Sequence, residues 1–123
     1  MSIVSKFSST PDSKIVLIAP TLAGYFQGLQ LWDRLQPLEV WTREDTLTSI
    51  DTSVNSDIHG YSGSVALVVS DCWNRATQLV FFLPVGAVVR LIAPLLNNKH
   101  QDPGVVAIDD TGKFVVSVSG GHQ

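Results

Sequence analysis

The order of apolar and polar stretches along the chain predicts strands alternating with helices. Lys14-Ile-Val-Leu-Ile-Ala-Pro20 is an unbroken apolar run ended by proline, the pattern of a strand covered on both faces. Leu22, Tyr25, Phe26, Leu29 and Trp32 then recur at helical spacing. They predict a helix over about 22–35, capped by Thr21 and stopped just before Pro37. Leu38 to Thr42 reads as a short second strand, and the polar stretch from Arg43 to Ser56 as a surface loop with room for one helical turn. Residues 63–76 admit either element, because Val65, Leu67, Val68 and Val69 also suit a strand. Helix is preferred, since Asp71 to Ala76 makes a poor strand.

Gln78-Leu-Val-Phe-Phe-Leu83 is the strongest strand signal after the first. A helix follows from Gly86 to Leu96, interrupted near Pro94 because proline removes a backbone donor. Val105–Ile108 and Phe114–Val118 are strands joined by the hairpin-type turn Asp-Asp-Thr-Gly-Lys. Residues 1–13, rich in serine and containing Pro11, read as a flexible lead-in, and 14–123 as a single domain. Strands that alternate with helices and are apolar on both faces predict a three-layer α/β fold. Its sheet is expected to be mostly parallel, Rossmann-like or flavodoxin-like, with an antiparallel edge hairpin.

Composition narrows the class. With 45% hydrophobic and 15% charged residues, the chain has ample material for a core and is not of disordered type. A formal net charge of -3 argues against a nucleic-acid binder, which would carry a basic face. The single cysteine, Cys72, excludes an internal disulfide and suits a reducing compartment. No apolar stretch approaches the ~20 residues that span a bilayer, and no signal-peptide core is present near Met1. The expectation is a cytoplasmic protein that binds neither membrane nor nucleic acid.

In open α/β sheets, ligands sit outside the carboxyl ends of the strands. Three predicted ends carry suggestive residues: Pro20-Thr21, Pro84-Val85-Gly86 and Ser119-Gly120-Gly121-His122. Gly86 would let a ligand approach a helix N-terminus, where free N–H groups attract anions, and Arg90 lies one turn on. The plainer alternative is a strand end and a surface ion pair. His122 has the chemistry of a general base or acid, and its alternative is a frayed chain end. Lys99, His100 and Asp102 form a polar loop before Pro103-Gly104, or simply a helix-to-strand connection. No ligand pair among the His, Cys and Asp residues has a recognised metal spacing. Cys72 reads as a small buried hydrophobe, and Gly24-x-x-x-Gly28 as a site of close helix packing.

Residues 80–122 resemble the N-terminal region of the CbiG-type cobalamin-biosynthesis proteins. The resemblance rests on Gly86-Ala-Val-Val-Arg-Leu-Ile-Ala-Pro-Leu-Leu96, on Lys99-His-Gln-Asp102-Pro103, and on the strand from Phe114 into Ser119-Gly120-Gly121-His122. The family has Leu-Ser-Gly-His and a glycine-rich helix start where this chain has Ser-Gly-Gly-His and then Gln123. Such a resemblance implies the N-terminal part of a longer protein, a cobalt-precorrin-5A hydrolase that opens a lactone on a tetrapyrrole and releases acetaldehyde. It further implies no cofactor in this domain, with cobalt only within the substrate. The expected partner is a C-terminal hydrolase domain or a fused precorrin-3B methyltransferase. The alternative is a non-catalytic tetrapyrrole-binding or docking module fused to that methyltransferase. A substrate bearing many carboxylates suits the basic residues Arg90, Lys99, His100, Lys113 and His122, and the expected binding residues are Gly86, Arg90, Lys99, Asp102, Ser119, Gly120 and Gly121. On chemical grounds, His122 would be the base, and the N–H of Gly86 or Gly120 the oxyanion donor.

Overall fold

The computed structural model describes residues 14–37, 39–48, 57–97, 102–109, 111–113 and 115–119. The expected lead-in at 1–13 lies outside these residues. Six strands form one sheet: β1 (Ile15–Ile18), β2 (Glu39–Arg43), β3 (Ile58–Tyr61), β4 (Gln78–Phe81), β5 (Gly104–Ile108) and β6 (Val115–Ser119). Their order is β3-β2-β1-β4-β5-β6. Every pairing among the first five is parallel, and β6 runs antiparallel to β5. The helices are α1 (Leu22–Gln30), α2 (Trp32–Leu35), α3 (Glu44–Thr48), α4 (Val65–Cys72) and α5 (Val85–Ile92), the last ending in a 3-10 turn at Ala93–Leu95. This is the mostly parallel α/β sheet with an antiparallel edge that the residue pattern predicts.

The strands alternate between two cores. Ile15, Leu17 and Ala19 of the β1 segment point with Val80, Phe82, Val106 and Ile108 into one core, which Tyr25 of α1 and Leu35 of α2 complete. Val16 and Ile18 point with Leu79, Phe81, Val105 and Ala107 into the other, beneath Val68, Val69 and Cys72 of α4 and Val88 and Ile92 of α5. Burial on both faces is why β1 and β4 read as unbroken apolar runs. Strand order reverses between β1 and β4, the point at which open α/β sheets of this kind place a ligand crevice at the carboxyl ends of the strands.

Local chemistry accounts for the departures from the expected elements. The helix over 22–35 is two helices, because the Leu31 N–H is shared between the carbonyls of Gln27 and Gly28. The second ends at Gln36, whose left-handed φ of 50° returns its N–H to the Trp32 carbonyl. The edge strand β3 is hidden in the sequence by His59 and Gly60, yet it pairs Val40 with Ile58 through Arg43 with Tyr61. Gly60 is required there, since a Cβ would lie 2.9 Å from Leu47 Cδ1 and 3.1 Å from Glu44 Cα. The helical turn expected between Arg43 and Ser56 is α3, and 49–56 lie outside the described residues. Within 63–76, Ser64 sets the start of α4 by accepting from the Ala66 N–H at 3.1 Å.

Candidate functional site at the strand ends

The crevice is built by the loops that leave β1 and β4. Thr21 caps α1, its Oγ1 accepting the Gly24 N–H at 3.0 Å. Gly24 and Gly28 bring α1 close onto the sheet: a Cβ at Gly24 would lie 2.8 Å from Phe82 Cβ, and one at Gly28 3.5 Å from Phe82 Cε2. Across the crevice, α5 starts at Pro84, which has no side chain to cap it. A Cβ at Gly86 would meet nothing within 4 Å, so the backbone there faces open space. Leu22 and Val85, in the first turns of α1 and α5, are exposed. Arg90 is exposed and stands about 6 Å further along α5, from the helical rise of ~1.5 Å per residue. The arrangement offers uncapped helix amides, apolar surface and a guanidinium along one helix.

The other expected binding residues are placed elsewhere. Because β6 is antiparallel, Ser119 pairs with Val105 near the start of β5. The three strand ends therefore do not converge. Ser119 lies at the amino end of the parallel strands, opposite Pro20 and Pro84. Asp102 precedes β5 and lies at that same far end, where its carboxylate accepts from the Asn97 N–H at 2.9 Å and the Trp73 Nε1–H at 3.4 Å. These bonds tie the α5–β5 connection to the end of α4, a structural task. Lys99, His100, Gly120, Gly121 and His122 lie outside the described residues.

Two polar features carry no sequence motif. At the amino end of β2, the Glu39 carboxylate accepts from Arg75 Nε at 2.9 Å and Nη2 at 2.8 Å, and from Trp41 Nε1 at 2.7 Å. The Arg75 bonds hold Glu39 below the usual carboxylate range. Beside them, burial pushes the Cys72 thiol up to about 11, although Arg75 partly opposes it. The pair is a brace rather than an acid–base couple. The second feature is the β5–β6 turn, where Asp109 accepts from the Thr111 hydroxyl and the Lys113 N–H. Between this turn and α1 lies a hollow of about 460 Å³ lined by Gln27, Gln30, Leu31, Ile108, Thr111 and Gly112. Among the described residues no three His, Cys, Asp or Glu side chains are grouped to hold a metal, and no helix is long and apolar enough to cross a membrane.

A doubly wound α/β domain whose strand order reverses at its centre has the architecture that places small ligands at strand ends. Residues 67–123 match the sequence family described as Cobalamin synthesis G N-terminal. The chain is 44% identical over 66 residues to a cobalt-precorrin-5A hydrolase of Priestia megaterium, covering 54% of this chain and 18% of that protein. It is 39% identical over 62 residues to the corresponding hydrolase of Salmonella typhimurium, covering 50% of this chain and 18% of that protein. The match thus spans about a fifth of the curated relatives' length. A crystal structure of a cobalamin biosynthesis protein G homologue from Sulfolobus solfataricus superposes with a TM-score of 0.62 at 19% identity. It covers 89% of this chain and 30% of the homologue, and shows the shared fold.

Proposed function

We propose that this chain is the N-terminal part of a cobalt-precorrin-5A hydrolase, acting in the cytoplasm on a cobalt-bearing tetrapyrrole. The observation that carries this reading is the match over 67–123, which takes in β4, α5, β5 and β6. In the proposed reaction, water adds to the lactone carbonyl and the acyl C–O bond breaks, giving a carboxylate and an alcohol. The alcohol then loses its proton and becomes the C=O of acetaldehyde as its C–C bond to the macrocycle breaks, the electron pair passing into the conjugated ring. Such a step needs a base for the water and N–H donors for the developing oxyanion. Ser119, three residues before the expected base His122, lies at the opposite end of the sheet, so the base is assigned to the remainder of the complete hydrolase. The uncapped first turn of α5, with open space at Gly86, supplies donors at a helix N-terminus. Arg90 would hold a peripheral carboxylate, because its planar fork matches that group.

The test is acetaldehyde release from cobalt-precorrin-5A by the complete hydrolase polypeptide carrying this chain. Stoichiometric acetaldehyde supports the reading. A well-folded full-length protein that binds the substrate and releases none refutes it.

A further inference from the structure

The two outer layers of this molecule differ in character. On the face formed by α1, α2 and α3, the exposed positions include Leu22 and Phe26 but also Gln30, Asp33, Arg34, Glu44 and Asp45. On the opposite face, α5 exposes Val85, Gly86, Val89, Arg90 and Ala93, with one charge and no acid. Its inner side, at Val88 and Ile92, is buried. A helix that is apolar on its outer as well as its inner face is one that expects to be covered.

The exposed apolar surface extends beyond α5. Val85 is 44% exposed, Val89 47%, Leu96 49% and Val116 43%, and Leu67 of neighbouring α4 reaches 72%. Val116 pairs with Ala107 of the α4/α5-side core, so it lies on the same side of the sheet as α5. It sits on β6, the last strand of the sheet, whose residues Val115 to Ser119 include no charge and no proline. Edge strands that stand alone usually carry such guards. Five of the seven large exposed apolar side chains among the described residues therefore lie on α4, on β6, on α5 or just past the turn that ends it. All five lie within the stretch that matches the family.

We infer that this face docks the remaining chain of a full-length cobalt-precorrin-5A hydrolase, the part of the curated relatives outside the matched stretch. That stretch is 18% of their length, so ample polypeptide exists to cover it. A second copy of this chain is a poorer occupant. Two copies meeting through α5 would each bring the cation Arg90 to a helix that offers no acid in return. The inference rests on the hydrolase reading for the identity of the partner, but not on the chemistry of the reaction.

The experiment reads association without substrate. The 123-residue chain is co-produced with the Priestia megaterium hydrolase from which the segment equivalent to this whole domain has been deleted, and complexes are measured by analytical ultracentrifugation. A one-to-one complex is expected, with Val89→Glu and Leu96→Glu together weakening it at least tenfold, and Asp33→Lys on the opposite face leaving it intact. In a second format, this chain replaces the segment equivalent to the whole domain within one polypeptide. A cysteine introduced by Val89→Cys should then react with maleimide at least tenfold more slowly than in the 123-residue chain. Equal maleimide rates overturn the inference, as does a complex indifferent to the α5 substitutions. Self-association of the chain alone that Val89→Glu abolishes also overturns it, in favour of a second copy. If docking holds and no acetaldehyde forms, the hydrolase reading fails and the interface stands.

Discussion

Gly24 of α1 lies so close to Phe82, just past β4, that a Cβ on the glycine would come within 2.8 Å of Phe82 Cβ. The contact fixes α1 against the strand across the topological switch, and so sets the width of the crevice. Gly24→Ala should therefore destabilise the domain. Overpacking costs about 1–3 kcal/mol, while the gain in helix propensity is about 1 kcal/mol. A net loss of up to about 2 kcal/mol, read as a Tm lower by roughly 5 °C, is expected. An unchanged or higher Tm would show that the helix shifts freely.

Gly86→Ala is the counterpart, because its added methyl meets open space. With no clash to offset the gain in helix propensity of up to about 1 kcal/mol, the Tm should hold or rise by a few degrees. Acetaldehyde formation by the complete hydrolase should fall, since the methyl would occupy the approach to the α5 amides. A large drop in Tm would instead assign Gly86 to packing.

Arg90→Ala should leave the Tm unchanged and weaken binding of cobalt-precorrin-5A at least fivefold, the equivalent of about 1 kcal/mol. Superimposable titration curves would remove Arg90 from substrate binding.

The Glu39–Arg75 pair gives the molecule an acid-sensitive brace. With its folded pKa lowered by Arg75, Glu39 adds stability that is fully present above its ordinary pKa. That stability is lost as the pH falls through the lowered folded value. Glu39→Gln should flatten this acid limb of the stability curve. Arg75 is 36% exposed and Glu39 16%. Arg75→Met should therefore cost about 1–2 kcal/mol at neutral pH, less than the ~3–5 typical of a fully buried pair. Chemical denaturation at pH 7 and pH 4 measures both effects.

Cys72 should be inert in the folded protein. Burial raises its pKa to about 11, so at pH 8 the thiolate is roughly one part in a thousand. Iodoacetamide should label it only after denaturant is added. Rapid stoichiometric labelling of the native protein would contradict the burial.

What was legible in the sequence follows from burial. β1 and β4 are covered on both faces, so Ile15–Ile18 and Gln78–Phe81 announce themselves as continuous apolar runs. Thr21 as a cap, the Gly24–Gly28 packing stripe and Cys72 as a core residue were readable for the same local reasons. β3 was not, because an edge strand built from Ile58-His-Gly-Tyr61 needs apolar character at few positions and a glycine for its neighbour α3. The site was only half legible. Gly86 and Arg90 follow from the β4–α5 unit alone, but the positions of Asp102 and Ser119 depend on which end of the sheet each loop leaves. The hairpin turn was visible at Asp109–Lys113, and the reversal it imposes carries Ser119 to the far end.

The strand order has a consequence for how this molecule is made. β1 sits at the centre of the sheet and is partnered on one side by β4, with the Lys14 N–H bonding the Thr77 hydroxyl 63 positions later. During synthesis, β1, β2 and β3 emerge first and can pair only with each other. One full edge of the most apolar strand then stays bare until Phe81 has left the ribosome. An uncovered apolar edge is a template for intermolecular pairing. The nascent first half is thus the stage at which the polypeptide is most prone to aggregate, and the late arrival of β4 is the step that ends that exposure.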